Sequence, residues 1–494
     1  MSTAAPDRDA ALNDPDAAAR ETLRLLGPLP ANWVPEHAGI AHNVVIVGGG
    51  QTGTAIAFAL ARAGIGGVAV IDAAPNPAKA GVWRNRARML QLRTLKSLVG
   101  PDLGLPGLSF QAWYEARHGR AAYDALDRIP RTVWADYLDW FREFLGIGVR
   151  YGTRLRRIEP VVAAGETPAH LRLHLQIDGQ WQTVTTRKLV LANGVAGNGA
   201  PYLPEELEAL RGSGLVSHTA DDIDFAALRG KTVAVVGAAA SAFDAAATAL
   251  EAGAAAVHLL SRRDHIAATP IAKLRGYPGL YDNYLSLPDA VRWSVATRWR
   301  RVGSTPPADS VQRVLDFEHF HLHLATPWPA ASVKDGQIHA QLHGEAFAFD
   351  HVIAGTGYST DPAQRPELQG VAEHVLRWRD RYAPPADERD EALAASPYLG
   401  SGLEYLEKTP GAAPWLGAIH VYNPAGFASV GLPLGDVPSL RRDVPALVRR
   451  ISADLLHADW ALHETRINGD VPPDFGPELY GKALYRPAQQ REAA

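Results

Sequence analysis

The chain has no cysteine among its 494 residues. Without thiols it can form no disulfide, relay no electrons through a Cys-x-x-Cys pair and hold no zinc through thiolates, so disulfide reductases and thiolate-zinc proteins are excluded. Neither charge is in excess. The 49 Lys and Arg against 53 Asp and Glu leave a net charge of −4, and the arginines are dispersed, which argues against nucleic acid or an anionic membrane as the main partner. Long apolar runs are also missing: the most apolar stretch, residues 54–71, contains Arg62 and several glycines and reads as helix, turn and strand rather than a membrane span. Residues 1–14 are rich in Ala and Asp and lack the basic-then-apolar order of a secretory leader, so a cytoplasmic protein is expected.

What is present is a globular composition, 47% hydrophobic and 21% charged, sufficient for two or three domains with large cores. Two glycine-rich turns stand out, each between an apolar strand and a helix. In the first, Val44-Val45-Ile46-Val47 runs into Gly48-Gly49-Gly50-Gln51-Thr52-Gly53; an Ala-rich helix and the strand Val68-Ala69-Val70-Ile71 follow, ending at Asp72. In the second, Thr232-Val233-Ala234-Val235-Val236 runs into Gly237-Ala238-Ala239-Ala240-Ser241-Ala242, and the strand Val257-His258-Leu259-Leu260 ends at Ser261-Arg262-Arg263. Glycine permits the tight bend and lets backbone approach a pyrophosphate, which rests on the positive end of the helix. A carboxylate at the strand tip accepts hydrogen bonds from a ribose diol and repels a 2′-phosphate, whereas guanidiniums attract that phosphate. Two different dinucleotides are therefore expected. The second turn departs from the pattern, since Ala239 and Ala242 stand where glycine is usual. Its alternative reading is an ordinary α/β unit whose two arginines are solvated.

Between and around these turns the pattern varies. A short helix and a Pro-rich lead-in (Pro28, Pro30, Pro35) precede residue 40, and Val133, Tyr137, Trp140 and Phe141 mark the buried face of a helix. Alternation over 151–187 predicts a small antiparallel layer, after which Leu189-Val190-Leu191-Ala192 meets Asn193-Gly194 and a Gly/Pro-rich linker at 197–204. Arg229-Gly230-Lys231-Thr232 is not a phosphate loop, because Phe225 occupies the required earlier glycine position. Residues 264–329, with Tyr277, Tyr281, Tyr284, Trp293, Trp299 and Phe320, form an irregular aromatic insertion that is either a substrate wall or lid, or plain packing. Within it His319, His321 and His323 alternate onto one strand face; without neighbouring carboxylates they read as partly solvated, and no metal is expected. Further on come a second strand-to-glycine crossing at 351–358, a strand near 418–421, a glycine-rich loop at 426–435 and Asp436. A helix is predicted to open at Asp443 as N-cap, with Val444, Leu447, Val448, Ile451 and Leu455 on its buried face, and the last dozen residues read as frayed.

These features in this order resemble the class B flavoprotein monooxygenases, the group of flavin-containing monooxygenases, N-hydroxylases and Baeyer–Villiger enzymes. The resemblance spans roughly residues 42–440. It rests on the first glycine turn with Asp72, Ala80-Gly81-Val82-Trp83-Arg84, Leu191-Ala192-Asn193-Gly194, His218, Gly237 to Ala242, and Thr356-Gly357-Tyr358. It implies an α/β protein of two Rossmann-like dinucleotide-binding domains, the NADPH domain (206–345) inserted into an FAD domain (1–205 and 346–494). It also implies the chemistry: NADPH reduces FAD, O2 adds to the flavin C4a carbon, and one oxygen atom of that peroxide passes to a small molecule, expected at a nitrogen or sulfur centre. The cofactors carry the reaction, which agrees with the absence of any nucleophile, triad or acid–base pair in the sequence.

The resemblance assigns FAD to Gly48, Gly50, Gln51, Thr52, Gly53, Asp72 and Gly81, NADPH to Gly237, Ala239, Ser241, Ala242, Arg262 and Arg263, and the domain links to Asn193, Gly194 and Gly357. Four residues keep two readings: Trp83 borders the flavin or packs in the core, Arg84 faces phosphate or solvent, His218 touches the domain link or nicotinamide ribose or else caps a loop, and Asp436 lies near the ribityl chain or caps a helix. Gly212 stands where the family has an aromatic residue six positions before His218, and Arg88-Met89 replaces an aromatic-proline pair. Where many heteroatom-oxidising members place an asparagine near the flavin, residues 89–96 offer only Thr94 and Lys96, taken with His218 as the catalytic candidates. A flavin-dependent NADPH reductase or oxidase, a Baeyer–Villiger enzyme and a non-catalytic dinucleotide sensor are the alternatives. The expected partners are a small-molecule substrate and O2, with no nucleic acid and no membrane; a homo-oligomer is left open.

Overall fold

The computed structural model describes residues 14–485 apart from 164, 166 and 198. The expectations for residues 1–13 and 486–494, and for residue 198 of the linker, lie outside the described residues. The chain divides into two units between Ser452 and Ala453.

The first unit opens with α1 (Pro15–Leu26), whose N-cap Asp14 accepts the Asp16 N–H at 2.9 Å. There follow β1 (His42–Val47), α2 (Gln51–Arg62), β2 (Val68–Ile71), β3 (Gln91–Leu95), β4 (Arg128–Pro130), α3 (Arg131–Phe144), β5 (Val149–Arg150), β6 (Thr153–Val161), β7 (His170–Ile177) and β8 (Gln180–Leu191). Strands β5-β2-β1-β8 run parallel, and β8 continues into the antiparallel meander β8-β7-β6. One strand serves both layers because its sequence changes half-way: Gln180–Thr183 are exposed, while Thr186–Leu191 are buried and pair with β1. The apolar part of that buried stretch, Leu189–Leu191, lies beside Val45–Val47 of β1, the kind of run a sheet covered on both faces requires. On one side of it α3 turns Trp134, Tyr137, Trp140 and Phe141 into an aromatic core with Phe58, Phe110 and Trp113, as its periodicity predicted; Val133 packs at the edge.

The second sheet follows β9 (Ala200–Pro201). It comprises β10 (Val216–His218), β11 (Thr232–Val236), β12 (Ala256–Leu260), β13 (Phe320–His323) and, after a three-stranded antiparallel segment, a strand His351–Ala354; all pair in parallel in the order β10, 351–354, β11, β12, β13. The expected return to the first domain at residue 346 therefore comes too early. Val352, Ile353 and Ala354 are fully buried at the middle of the second sheet, between β10 and β11. The chain leaves this sheet only afterwards, where Tyr358–Ser359 pairs antiparallel with β9, so outgoing and returning crossings lie side by side. The strand Ile419–Val421 then joins the first sheet beside β8.

Near its end the first unit enters a helix, Val437–Ala458, with Pro445 inside it. The predicted start at Asp443 is corrected. Proline sits comfortably in a first helical turn, which makes Asp443 look like a cap before Pro445, but Asp436 caps instead by accepting the Ser439 N–H at 3.0 Å. The expected buried face is retained, with Val444, Leu447 and Ile451 fully covered. The second unit holds the last turn of this helix, Trp460–Ile467 and Pro477–Tyr480. Among the described residues no helix is long and apolar enough to cross a membrane.

Candidate functional site

At the first glycine turn the space around each glycine is measurable. A Cβ on Gly48 (φ +113°) would stand 2.4 Å from Ala192 O, one on Gly49 2.6 Å from Val149 Cγ1, and one on Gly53 1.9 Å from Gly48 O. Gly50 is different: a Cβ there meets nothing within 4 Å. So three glycines let strand, helix and neighbouring loop close on one another, and the fourth faces open space at the first turn of α2, where no side chain caps the helix. That uncapped end is what a pyrophosphate requires. Asp72 ends β2 with Oδ2 accepting the Gly49 N–H at 2.8 Å and Oδ1 accepting the Ala74 N–H at 2.7 Å, which fixes the carboxylate beside the turn with lone pairs to spare. Gln51 is spent on the fold: Oε1 accepts from Trp134 Nε1 at 3.1 Å and Nε2 donates to Gly435 O at 3.0 Å, while Thr52 is buried in the helix start.

The second turn repeats this geometry with one change. Gly237 (φ +120°) approaches Gly355 O, to 2.4 Å from an added Cβ, as Gly48 approaches Ala192 O. Ala239 precedes the helix Ala240–Glu251 with φ −95°, a conformation open to any residue, and again no side chain caps the helix. Where Gly53 keeps the first helix close to its strand, Ala242 carries a methyl, and the room comes from the other side: a Cβ on Gly355 would lie 2.6 Å from Ala242 Cβ. The missing third glycine is supplied by Gly355, the residue just after the strand at 351–354. No local spacing rule could have found it. Of the arginine pair, Arg262 is exposed and bonded to nothing among the described residues, whereas Arg263 donates through Nη1 to Val302 O (2.7 Å) and Nη2 to Arg300 O (3.1 Å). The paired cationic grip is thus corrected to one free guanidinium, its neighbour tying down the end of the helix Asp289–Val302.

His218 sits at the end of β10, 1% exposed. Its Nδ1 accepts the Ala220 N–H at 3.0 Å and its Nε2 lies 3.0 Å from Gly357 O, so Nε2 carries the hydrogen. Burial pushes its pKa down. Both ring nitrogens are engaged, and the ring ties β10 to the returning crossing, which is the linking reading of His218. Asn193 Oδ1 accepts from Asn423 Nδ2 at 3.1 Å, joining the outgoing crossing to the loop after the strand 419–421, and Gly194 takes the left-handed turn at φ +57°. Asp436 caps the helix it precedes, and burial pushes its carboxyl up to about 6.

The remaining candidates are less available. Lys96 Nζ donates to Tyr123 O and Asp124 O, and Thr94 is half-buried two residues before it. Arg84 pairs with Asp136 (2.6 Å) and Asp139 (2.7 Å), so neither phosphate nor solvent is its main partner. Trp83 packs against the aromatic core. Gly81 (φ +70°) has open space around it.

The aromatic insertion packs as a wall on the glycine-rich loop 426–436. Arg292 Nη2 donates to Ser429 O at 2.9 Å, Arg275 Nη1 to Gly431 O at 3.3 Å, and buried Tyr284 lies where a Gly431 Cβ would be. Arg442, from the following helix, stacks over Tyr281 at 4.9 Å. His323 and His321 face His258, with His323 Nε2 2.9 Å from His258 Nδ1. Among the described residues no three potential ligands are placed to hold a metal.

Family models agree with this geometry: one described as FAD-NAD(P)-binding matches residues 45–196, and one described as pyridine nucleotide-disulphide oxidoreductase matches residues 141–274. The FAD-dependent urate hydroxylase of Xanthomonas campestris is 37% identical over 422 residues, covering 85% of this chain and 87% of that protein. The chain belongs to the class B flavoprotein monooxygenases. As a class B flavoprotein monooxygenase it uses FAD and NADPH. The L-ornithine N(5)-monooxygenase of Pseudomonas aeruginosa is 33% identical over 118 residues, 23% of this chain and 26% of that protein. The structure of the reduced ornithine hydroxylase from Pseudomonas aeruginosa matches the fold with a TM-score of 0.64 at 21% identity, over 85% of this chain and all of that one. The two glycine turns fit the two cofactors: closely approached backbone, an uncapped helix start, and a fixed carboxylate at one strand tip against a free guanidinium at the other.

Proposed function

We propose that this monooxygenase hydroxylates urate or a closely similar nitrogen-rich ring anion, by the balance substrate–H + O2 + NADPH + H⁺ → substrate–OH + NADP⁺ + H2O. The likeness to the urate hydroxylase, extending over most of both chains, carries the reading. When bound, NADPH supplies the hydride and FAD the ring on which oxygen is activated. The chain's own part is placement. Gly48, Gly50, Gly53 and the start of α2 seat the FAD pyrophosphate with Asp72 on its ribose; Gly237, Ala239, Ser241 and Ala242 seat that of NADPH with Arg262 on its 2′-phosphate. The insertion 264–329, braced on the loop 426–436, walls off water. A second reading, hydroxylation of an amine nitrogen, draws on the segment shared with the ornithine monooxygenase.

The test is NADPH and O2 consumption by the FAD-loaded protein with urate, L-ornithine or L-lysine, with H2O2 measured alongside. Consumption stimulated by urate with little H2O2 supports the proposal, and stimulation by either amino acid supports the second reading. Substrate-independent consumption matched by H2O2 identifies an NADPH oxidase instead.

A further inference from the structure

Arg88-Met89 takes the place of the family's aromatic-proline pair, and the arginine finds its partners across the molecule. It lies between β2 and β3, in the part that carries the Asp72 turn. Yet its guanidinium donates through Nη1 to Thr219 O (2.7 Å) and through Nη2 to Asp221 O (3.1 Å), and stands 5.0 Å over the Phe225 ring. Residues 219–225 directly follow β10 of the second sheet. They hold the two acceptors still: Asp221 Oδ2 accepts the His218 N–H at 2.7 Å, and the Ala220 N–H goes to the His218 ring.

The backbone of Arg88 is gripped by the same part of the chain. Arg313 Nη1 donates to Arg88 O at 3.1 Å, and the Arg313 guanidinium pairs with Asp244 (3.2 Å) and Glu251 (2.9 Å), both on the helix that follows the second glycine turn. Asp244 is buried and also accepts from Ser310 Oγ at 2.7 Å. Three residues beyond Arg88, Gln91 Nε2 donates to Asp309 Oδ2 at 3.3 Å. One residue of the first part is thus bonded by its side chain to the turn that His218 fastens to the returning crossing, and by its carbonyl to the arginine that braces the second nucleotide helix. Charged bonds from the rigid guanidinium fork are directional, so this grip fixes an angle as well as a contact.

We propose that Arg88 is a positioning residue that sets the NADPH-holding part at the angle to the flavin-holding part from which hydride transfer proceeds. Such transfer is sensitive to placement, since a displacement of about 1 Å costs about 100-fold in rate. The inference rests on the seating of FAD and NADPH at the two glycine turns, and it is independent of which molecule is hydroxylated.

The experiment compares wild type, R88M and R88K as full-length proteins. Because the chain has no cysteine, Gln180→Cys and Lys334→Cys, both at exposed positions and one in each part, accept nitroxide labels cleanly, and pulsed electron paramagnetic resonance then gives the distance distribution between the parts with and without FAD. In unlabelled FAD-loaded protein, anaerobic rapid mixing gives the rate of flavin reduction at saturating NADPH and the Kd for NADPH. R88M broadens or shifts the distance distribution and slows reduction about 10- to 100-fold, with the Kd within about twofold of wild type; R88K, which keeps the charge without the fork, recovers part of both. An unchanged distribution in R88M, a reduction rate within about twofold of wild type, or a raised Kd with the saturated rate intact overturns the assignment. If R88M does not retain FAD, R88K decides: a displaced distribution with slowed reduction supports the assignment, and wild-type values in either readout overturn it. A wild-type flavin that NADPH does not reduce overturns the seating of the cofactors, and the assignment falls with it.

Discussion

Replacing Gly355 by alanine tests whether the second nucleotide turn borrows its missing glycine from a distant strand. The new Cβ would lie 2.6 Å from Ala242 Cβ, 2.9 Å from Ala242 Cα and 3.2 Å from Ala242 N. Two of those atoms are backbone, at a position with no exposed surface, so helix or strand must shift. Overpacking of this kind costs about 1–3 kcal/mol. Gly355 does not adopt positive φ, so the cost is steric rather than conformational. The reciprocal change, A242G, loses one buried methyl and puts glycine in a helix, about 1–2 kcal/mol together. If the sites were independent the double variant would lose about 2–5 kcal/mol, the sum of the two. Removing the methyl clears the closest contact, so the double variant should retain about 1 kcal/mol or more relative to that sum. Urea unfolding of the FAD-loaded proteins gives the four stabilities, and the KM for NADPH follows the site itself. Strict additivity, or a G355A variant as stable as wild type, would refute the complementarity.

The two arginines at the second strand tip should behave differently: R262A raises the KM for NADPH about tenfold with that for NADH unchanged, whereas R263A lowers the unfolding temperature and leaves the NADPH/NADH ratio alone, and equal effects on that ratio would contradict the geometry. His218→Ala removes two buried hydrogen bonds, about 2–4 kcal/mol, yet the pH profile of kcat/KM should keep its shape; loss of an inflection near neutrality would restore a proton-transfer role. Burial, reinforced by His321 and His323, pushes His258 down to about 4. An unfolded histidine titrates near 6.5, so the unfolded chain binds more protons between those values and stability falls as pH drops through that window. The full shift corresponds to about 3 kcal/mol, reduced to about 1–2 by solvent around this partly open ring; H258F should flatten that part of the stability–pH curve, and an unchanged slope counts against it.

What the sequence disclosed was mostly local. Glycine spacing with Asp72 marked the first turn, alternation marked β6 to β8, and helical period marked α3 and the buried face of the last long helix, because each depends on neighbours a few residues away. What stayed hidden depended on contacts far along the chain. Gly355 reads as part of a crossing until Ala242 is set against it, and Arg263 reads as a ligand until the end of a helix arrives beneath it. Asp443 misled for a local reason, a proline tolerated inside a helix.

The two passages between the sheets have a mechanical consequence. Because Pro201 pairs with Tyr358 and Ala200 with Ser359, while Tyr202 N–H and the His218 ring both hold Gly357 O, they behave as one strap instead of two loose cords. A strap flexes across its flat and resists sliding along its length. Any swing of the hydride-donating half toward the flavin-holding half is thereby steered along a single arc, without a rigid joint being built.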